Sequence, residues 1–467
     1  MEKIVLVQTD HIRLPFHIGI YLNSSSDYKK PVEIYYISNI AIPKEVFKKI
    51  KESYPNVHLK EHNRNLKYNR IPQLFLSFLL FPFCLGLLLR PIKSLYTSSW
   101  TLTQIYHSIF DSASRNNKFS SLRLNSFDKL KALIGVSSGL YDAIKILSIR
   151  PQYVLLGHTV YAARATMAIL RKFNIKLFAE CMYCIQPVYS RFDVSPLDTR
   201  YSITSLPKLT KNELNKFIYN RTLGSGSIMD PVDSFNDNNK KQINFNLSTL
   251  NKKNKSILFL HVFRDSSFTC IDRRSIFIDY VDWVKFTINC IKNSNRLWDF
   301  AIHPSAKKWG EDSSIILKEI FHSCNLRSIP NNIRLISSPG SSQRALEEYD
   351  KVVTYKGTVQ YEAVLNGIKP ITLSESELSY NMPEYVYLAK SKEEYKKLLL
   401  IENLDTRHNN ESVKEFVCLL LAERELRSSY GKHLQSTSQK EGLTLEAFSK
   451  NLVYCKDNLD KLPFIYK

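Results

Sequence analysis

Acid is scarce in this 467-residue chain: Asp plus Glu number 44 against 65 Lys plus Arg, a formal net charge of +21. Such an excess favours polyanionic partners, whether nucleic acid, anionic lipid headgroups or phosphorylated substrates; a solvated basic surface without a partner is the plain alternative. Nucleic acid is not expected, because the sequence has no RGG tract, zinc-finger spacing or RNP-type aromatic motif. Paired cysteine motifs are lacking too. Eight cysteines are scattered at 84, 181, 184, 270, 290, 324, 418 and 455, and the one Cys-x-x-Cys, Cys181 to Cys184, has no second pair or nearby His to complete a tetrahedral zinc site. It reads as two thiols beside a strand or as a redox pair, and neither a metal nor a cofactor is expected. No internal repeat is present. The opening MEKIVLVQTDH lacks the charged-then-apolar profile of a signal peptide and reads as a first strand, so a cytoplasmic chain with reduced thiols is the expectation.

What the chain does have is one long apolar run. IPQLFLSFLLFPFCLGLLL carries no charge over the nineteen residues Ile71 to Leu89, with Lys67 and Arg70 before it and Arg90 and Lys93 after. Its length approaches a membrane span, but Pro82 and Gly86 interrupt it and both flanks are basic. A buried helix, an interfacial helix on anionic lipid and a true span all fit. The basic surplus tilts the reading toward peripheral association with the inner face of a membrane.

At this length the chain exceeds one ordinary core. Short apolar runs at Lys3 to Val7, Val32 to Ile37, Tyr153 to Leu156 and Lys176 to Ala179, with a helical pattern at Ala162 to Phe173, predict an α/β domain over 1–225. Asn, Ser, Asp and Lys dominate the following stretch, a linker over 226–255. Strands are predicted at Ser256 to His261, Trp298 to Ile302, Asn332 to Ile336, Lys351 to Thr354 and Ile368 to Leu373. Between them, Phe277 to Lys292, Ile315 to Phe321 and Val359 to Asn366 carry helical spacing. These form a second doubly wound domain over 256–400, and a helical tail follows over 401–467.

Sites in open parallel sheets lie beyond the carboxyl ends of strands. His303-Pro304 follows the strand WDFAI, where the proline bars helix and holds the histidine extended. Lys356-Gly357-Thr358 leads from a strand into a helix. Gly357 permits close backbone approach to an anion, Thr358 is a natural N-cap, and unpaired N–H groups at that helix start suit a phosphate. Glu362, one turn on, bridges ribose hydroxyls or compensates the helix dipole. Ser337, Ser338, Ser341 and Ser342 line a base or phosphate pocket or form a polar turn, while Ser305, Lys307 and Lys308 add donors or are solvated. His261, Arg264 and Asp265 close the first strand of this domain, and Arg264 suits an anionic donor or makes a local ion pair. In the first domain Asp10, His11, His17, His158 and Glu180 fall near strand ends. Asp10 and His158 are candidates for the base that activates an acceptor hydroxyl, with helix capping the alternative for His158.

The order of strand plus His-Pro, Ser-rich loop, then Gly-Thr, Glu and Gly-x-x-Pro in TYKGTVQYEAVLNGIKPI resembles the bacterial capsule polysaccharide biosynthesis proteins, which include the capsule Kdo transferases. GHTVYAARA and LHVFRDSSF resemble further segments, so the likeness covers roughly 150–375. It implies a GT-B fold of two Rossmann-like domains facing a cleft, a nucleotide-sugar donor held mainly by the C-terminal domain, a polysaccharide or lipid-linked acceptor on the N-terminal one, and no structural metal. By that resemblance His303 and the Gly357-Thr358 helix start contact the donor phosphate and Glu362 the ribose. Lys356 stands where relatives commonly carry small serines, which points away from a CMP-sugar donor. A glycosyltransferase is the expectation. A polyol-phosphate transferase, a nucleotide-sugar epimerase and a non-catalytic export component are its alternatives.

Overall fold

The computed structural model of the chain describes residues 2–7, 13–24, 30–38, 41–63, 100–117, 126–157, 162–181, 184–187, 255–265, 276–307, 310–337, 348–421 and 444–458, with isolated positions at 71, 74, 75, 78, 79, 82, 210, 212 and 346. The chain divides into two compact units. The first is built on strands β1 (Glu2–Val7), β2 (Val32–Ser38), β3 (Val57–Asn63), β4 (Tyr153–Leu156), β5 (Lys176–Cys181) and β6 (Cys184–Pro187), in the order β3-β2-β1-β4-β5-β6. Neighbours are parallel as far as β5, and β6 turns back antiparallel with Cys181 opposite Cys184. The central strands β1 and β4 are near-continuous apolar runs because helices cover both faces of the sheet, whereas the edge strand β3, VHLKEHN, is mostly polar. One face packs with α1 (Leu14–Ser24) and α2 (Lys44–Ser53), and Ile4, Leu6, Ile34 and Leu155 meet Phe16, Ile18, Val46 and Ile50 there. On the other face Val5, Val7, Val154 and Leu156 meet residues of α4 (Ser126–Ile149) and α5 (Ala162–Lys172), with α3 (Trp100–Asn117) also in this unit.

The second unit holds β7 (Lys255–Phe259), β8 (Leu297–Ile302), β9 (Ile333–Ser337), β10 (Lys351–Thr354), β11 (Ile371–Thr372) and β12 (Tyr387–Leu388). Its sheet is parallel throughout, in the order β12-β11-β10-β7-β8-β9. Counted from β7, that is the 3-2-1-4-5-6 winding of a dinucleotide-binding Rossmann sheet. Helices α6 (Tyr280–Ile291), α7 (Ser313–Ser323), α8 (Val359–Leu365) and α9 (Glu377–Asn381) lie between the strands, and α10 (Lys392–Leu400) follows the last of them. Asp279 and Asp312 cap α6 and α7 by accepting first-turn N–H groups. The fold class is therefore two Rossmann-like doubly wound α/β units with C-terminal helices, the pair of domains that a GT-B chain carries.

The C-terminal helices part company. Helix α11, residues 411–421, buries Val413, Phe416, Val417, Leu420 and Leu421 against Tyr361 and Val364 of the second unit. Helix α12 (Leu445–Asp457) instead completes the core of the first, where Ala447, Phe448, Leu452 and Cys455 pack with Tyr21, Leu22, Val46 and Ile50. Chain segments 1–116, 125–196 and 426–467 thus belong to one unit, and 117–124 and 197–425 to the other.

Within the apolar run 71–89, the described positions Ile71, Leu74, Phe75, Phe78, Leu79 and Pro82 are helical and exposed, which removes the buried-core reading for that face. Among the described residues one helix, Phe127–Ile149 within α4, is long and apolar enough to cross a membrane; half of it is buried.

Candidate functional site

Where the order of a parallel sheet reverses, the loops leaving the two adjacent strands diverge to opposite faces and open a crevice beyond their carboxyl ends. In the second unit this switch lies between β7 and β10. The loop after β7 carries His261, the loop after β8 carries His303, and the loop after β10 carries Lys356, Gly357 and Thr358. The structure brings all three loops together. The His261 and His303 rings lie 6.5 Å apart at an interplanar angle of 25°, and His261 Cε1 stands 3.6 Å from where a side chain on Gly357 would begin.

His261 is the strut of this arrangement. Its Nε2 lies 2.8 Å from the Lys356 carbonyl oxygen, which identifies Nε2 as the protonated nitrogen donating that bond; the Lys356 N–H, at 3.4 Å, abuts the same atom. The ring stacks on Tyr280 at 4.7 Å, over a nest of aromatics that includes Trp283 and Tyr355. Burial, reinforced by His303 and Lys356, pushes its ionisation down to about 3, so the imidazole is neutral at working pH. His261 thus ties two loops together.

The Lys356 carbonyl also accepts from Thr354 Oγ1 at 2.9 Å. A trans peptide sets its C=O and the following N–H in opposite directions. Pinning that carbonyl toward His261 and Thr354 therefore turns the Gly357 N–H away from them. The Gly357, Thr358 and Val359 amides find no acceptor among the described residues, as the opening turn of a helix requires. Gly357 holds φ +114°, open to glycine and strained for any other residue.

Thr358 corrects the N-cap expectation. It stands at φ −66°, ψ −25° with no side-chain cap bond, already in helical conformation, because the turn begins a residue earlier with the Gln360 N–H reaching the Gly357 carbonyl. Its hydroxyl is not spent on the helix. Glu362 is half-buried one turn into α8, and Asn366 donates to its backbone carbonyl at 2.7 Å.

His303 is fixed by its own turn. The Ser305 N–H donates to its Nδ1 at 3.1 Å, and the Ala306 N–H to its carbonyl at 3.0 Å. With Nδ1 accepting, the ring proton sits on Nε2, the nitrogen that can donate to a ligand oxygen. Ser305 is buried, and Lys307 is exposed.

Arg264 makes local hydrogen bonds in the β7 loop. Its guanidinium donates to the Gly310 carbonyl at 3.0 Å, and its backbone N–H to Glu311 Oε2 at 3.0 Å. Burial raises the Glu311 carboxyl, against the pull of Ser313, which donates to it at 2.6 Å, and of Arg264. Arg264 thereby clamps the β7 loop to the N-terminal approach of α7. Asp265, four residues after His261, is half-buried.

In the first unit the equivalent switch lies between β1 and β4, where the Gly157 N–H bonds the Val7 carbonyl at 2.8 Å. Asp10, His11 and His158 follow these two strands in sequence and lie outside the described residues, as do Ser338, Ser341, Ser342 and Lys308. Ser337 is exposed at the end of β9. His17 is buried in α1, and Glu180 falls within β5 rather than past its end. The sequence did not single out His107, buried in α3 and held neutral to about pH 3 by burial and then by Arg164, whose Nε donates to Gln104 Oε1 at 2.5 Å. Polar residues recurring at helical spacing along α3, Gln104, His107, Ser108, Asp111 and Ser114, were the available signal. Among the described residues no group of three His, Cys, Asp or Glu side chains is arranged to hold a metal ion.

No protein-family description matches the chain, and no curated protein sequence matches it. Solved structures give distant likenesses. A UDP-GlcNAc 2-epimerase from Methanocaldococcus jannaschii, crystallised with UDP-GlcNAc and UDP, is 14% identical over 91% of this chain and 100% of its own, with a TM-score of 0.30. The β-Kdo 2,4 transferase KpsC of Thermosulfurimonas dismutans is 12% identical over 58% of this chain and 79% of its own, TM-score 0.30. The spinosyn rhamnosyltransferase SpnG is 8% identical over 99% and 97%, TM-score 0.23. Likenesses at this level carry no argument about activity, so the reading rests on the chain's own topology and side chains.

Proposed function

We propose that the chain is a glycosyltransferase that moves a sugar from a nucleotide-sugar donor to a surface-polysaccharide or lipid-linked acceptor. One observation carries this reading: three loops from strands flanking a Rossmann switch point converge, with an imidazole N–H, a glycine at positive φ and outward-turned amides in one place. A diphosphate suits such a cluster, because backbone and imidazole N–H groups stabilise negative charge without themselves having to reorganise.

In the transfer, the bond between the anomeric carbon and the donor phosphate oxygen breaks, and its electron pair leaves with the phosphate. His303 Nε2–H donates to that oxygen, and the Gly357 and Thr358 amides share the charge. Glu362 accepts from the ribose hydroxyls. The acceptor oxygen bonds to the anomeric carbon and gives its proton to a general base, for which Asp10 and His158 are the candidates offered by the sequence. The order His-Pro, Ser-rich loop and Gly-Thr before a short helix, which resembles capsule polysaccharide biosynthesis proteins, supports the same reading.

The test begins with thermal-shift measurements against UDP, GDP, CMP and CDP, since a nucleotide that binds only the folded chain raises its apparent stability. Turnover of the matching nucleotide sugar is then followed by NMR with and without oligosaccharide acceptors. Acceptor-dependent transfer is expected, and His303→Ala should lower kcat by roughly a hundredfold or more. Isomerisation of donor without acceptor would assign an epimerase instead. Absence of nucleotide binding would overturn the enzyme reading.

A further inference from the structure

The described part of the apolar run near residue 75 has no partner that a soluble fold would supply. Ile71, Leu74, Phe75, Phe78 and Leu79 are helical, and each is between 56% and 76% exposed. Their spacing is i, i+3, i+4, i+7 and i+8, with exposed Pro82 at i+11, which is the spacing of one helix face. Lone exposed apolar residues are ordinary, but five large ones aligned on one face mark a docking surface.

Charge selects the occupant. From His62 to Phe110 the sequence contains no Asp or Glu, while Arg64, Lys67, Arg70, Arg90 and Lys93 lie within that span. A second copy of the chain would bring the same basic flanking sequence and be repelled. An anionic bilayer attracts the basic flanks and takes the apolar stripe into its headgroup boundary. Phe75 and Phe78 are the deepest candidates, at 64% and 76% exposure.

We propose that this helix lies in the plane of an anionic membrane surface and docks the first unit there through Ile71, Leu74, Phe75, Phe78 and Leu79. The inference does not depend on nucleotide-sugar chemistry, and nucleotide binding by the same preparation separates a failure of one reading from a failure of the other.

The experiment is co-sedimentation of the full chain with vesicles of phosphatidylcholine alone and of phosphatidylcholine with a one-third share of phosphatidylglycerol. Binding to the anionic vesicles only, weakened by added salt, is expected. Phe75→Asp with Phe78→Asp should lower that partitioning about tenfold or more, with an unchanged unfolding temperature because both positions face solvent. A Phe78→Trp variant should shift its emission to the blue when anionic vesicles are added, a readout independent of the double variant's behaviour. Equal binding by the double variant, or equal binding to the two vesicle types, overturns the proposal. So does a chain that ignores vesicles but self-associates until the double substitution is made, since the stripe would then join copies of the chain.

Discussion

At the scale of single residues, Gly357 and His261 set the geometry of the candidate site. A Cβ at position 357 meets ordinary space, 3.6 Å from His261 Cε1, so the penalty of Gly357→Ala is conformational: φ +114° is strained for alanine by roughly 1–3 kcal/mol. The expected outcome is a lowered unfolding temperature and weakened nucleotide affinity, measured on one preparation by thermal shift with and without nucleotide. His303→Gln is the informative companion to His303→Ala, because a carboxamide keeps an N–H donor near the ring's Nε2 and should recover part of the activity. The two neutral histidines also predict acid sensitivity. An unfolded histidine titrates near 6.5, whereas His107 and His261 in the folded chain resist protonation to about 3. Between those values the unfolded state binds protons that the folded state refuses. Their stability is therefore fully present above pH 6.5 and declines as pH falls toward 3, by about 1 kcal/mol for each near pH 5.5. Calorimetric unfolding between neutral and mildly acid pH should show the decline, and His107→Leu should flatten it. His303 was legible because a proline punctuates the end of an apolar run. The bond between His261 and Lys356 was not, since it joins residues that no local pattern relates.

At the scale of elements, two buried charges hold the second unit's strands and helices in register. Asp299, in the middle of β8 and 1% exposed, takes both Arg334 nitrogens at 2.7 Å and the Tyr349 hydroxyl at 2.7 Å. Removing Arg334 takes away two charge-assisted bonds and leaves the buried carboxylate to the Tyr349 hydroxyl and the Lys255 ammonium 3.9 Å away, so Arg334→Met should cost about 2 kcal/mol in chemical denaturation. Lys351, at the start of β10, donates to the Leu398, Leu399 and Ile401 carbonyls and so closes the end of α10. Burial and then Arg296 push its ionisation down to about 8. Its folded value lies below the unfolded one, so its contribution rises as pH climbs from 8 toward 10. Lys351→Met should remove that rise and fray α10. The strands of this unit were readable as short apolar runs bounded by polar clusters, and the carboxyl ends of β7, β8 and β10 followed from them. Helix α8 was readable as well, start at Val359 included, but its capping was not: the Thr358 hydroxyl that sequence assigned to that role makes no cap bond. The two-residue β12 was missed because so short a strand has no pattern of its own and exists only by pairing with β11.

At the scale of the whole molecule, the pattern of alternating strands and helices announced two doubly wound sheets, but the allegiance of the last helix lay beyond it. An amphipathic segment declares that one face will be buried and says nothing of where. Here Ala447, Phe448, Leu452 and Cys455 are buried beside Tyr21 and Ile50. Phe448→Ala should cost about 3 kcal/mol, through lost burial and the cavity left behind. Limited proteolysis should then find the first unit more readily cut and the second unchanged.

The placement of α12 also bears on how the molecule comes into being. A ribosome makes the chain from its amino end, and the last strand of the first unit is complete at Pro187, but the helix that seals its core follows only after about 250 further residues. At roughly 5–20 residues per second, a nascent first unit waits on the order of ten to fifty seconds with an apolar groove open to chaperones and to neighbouring polypeptides.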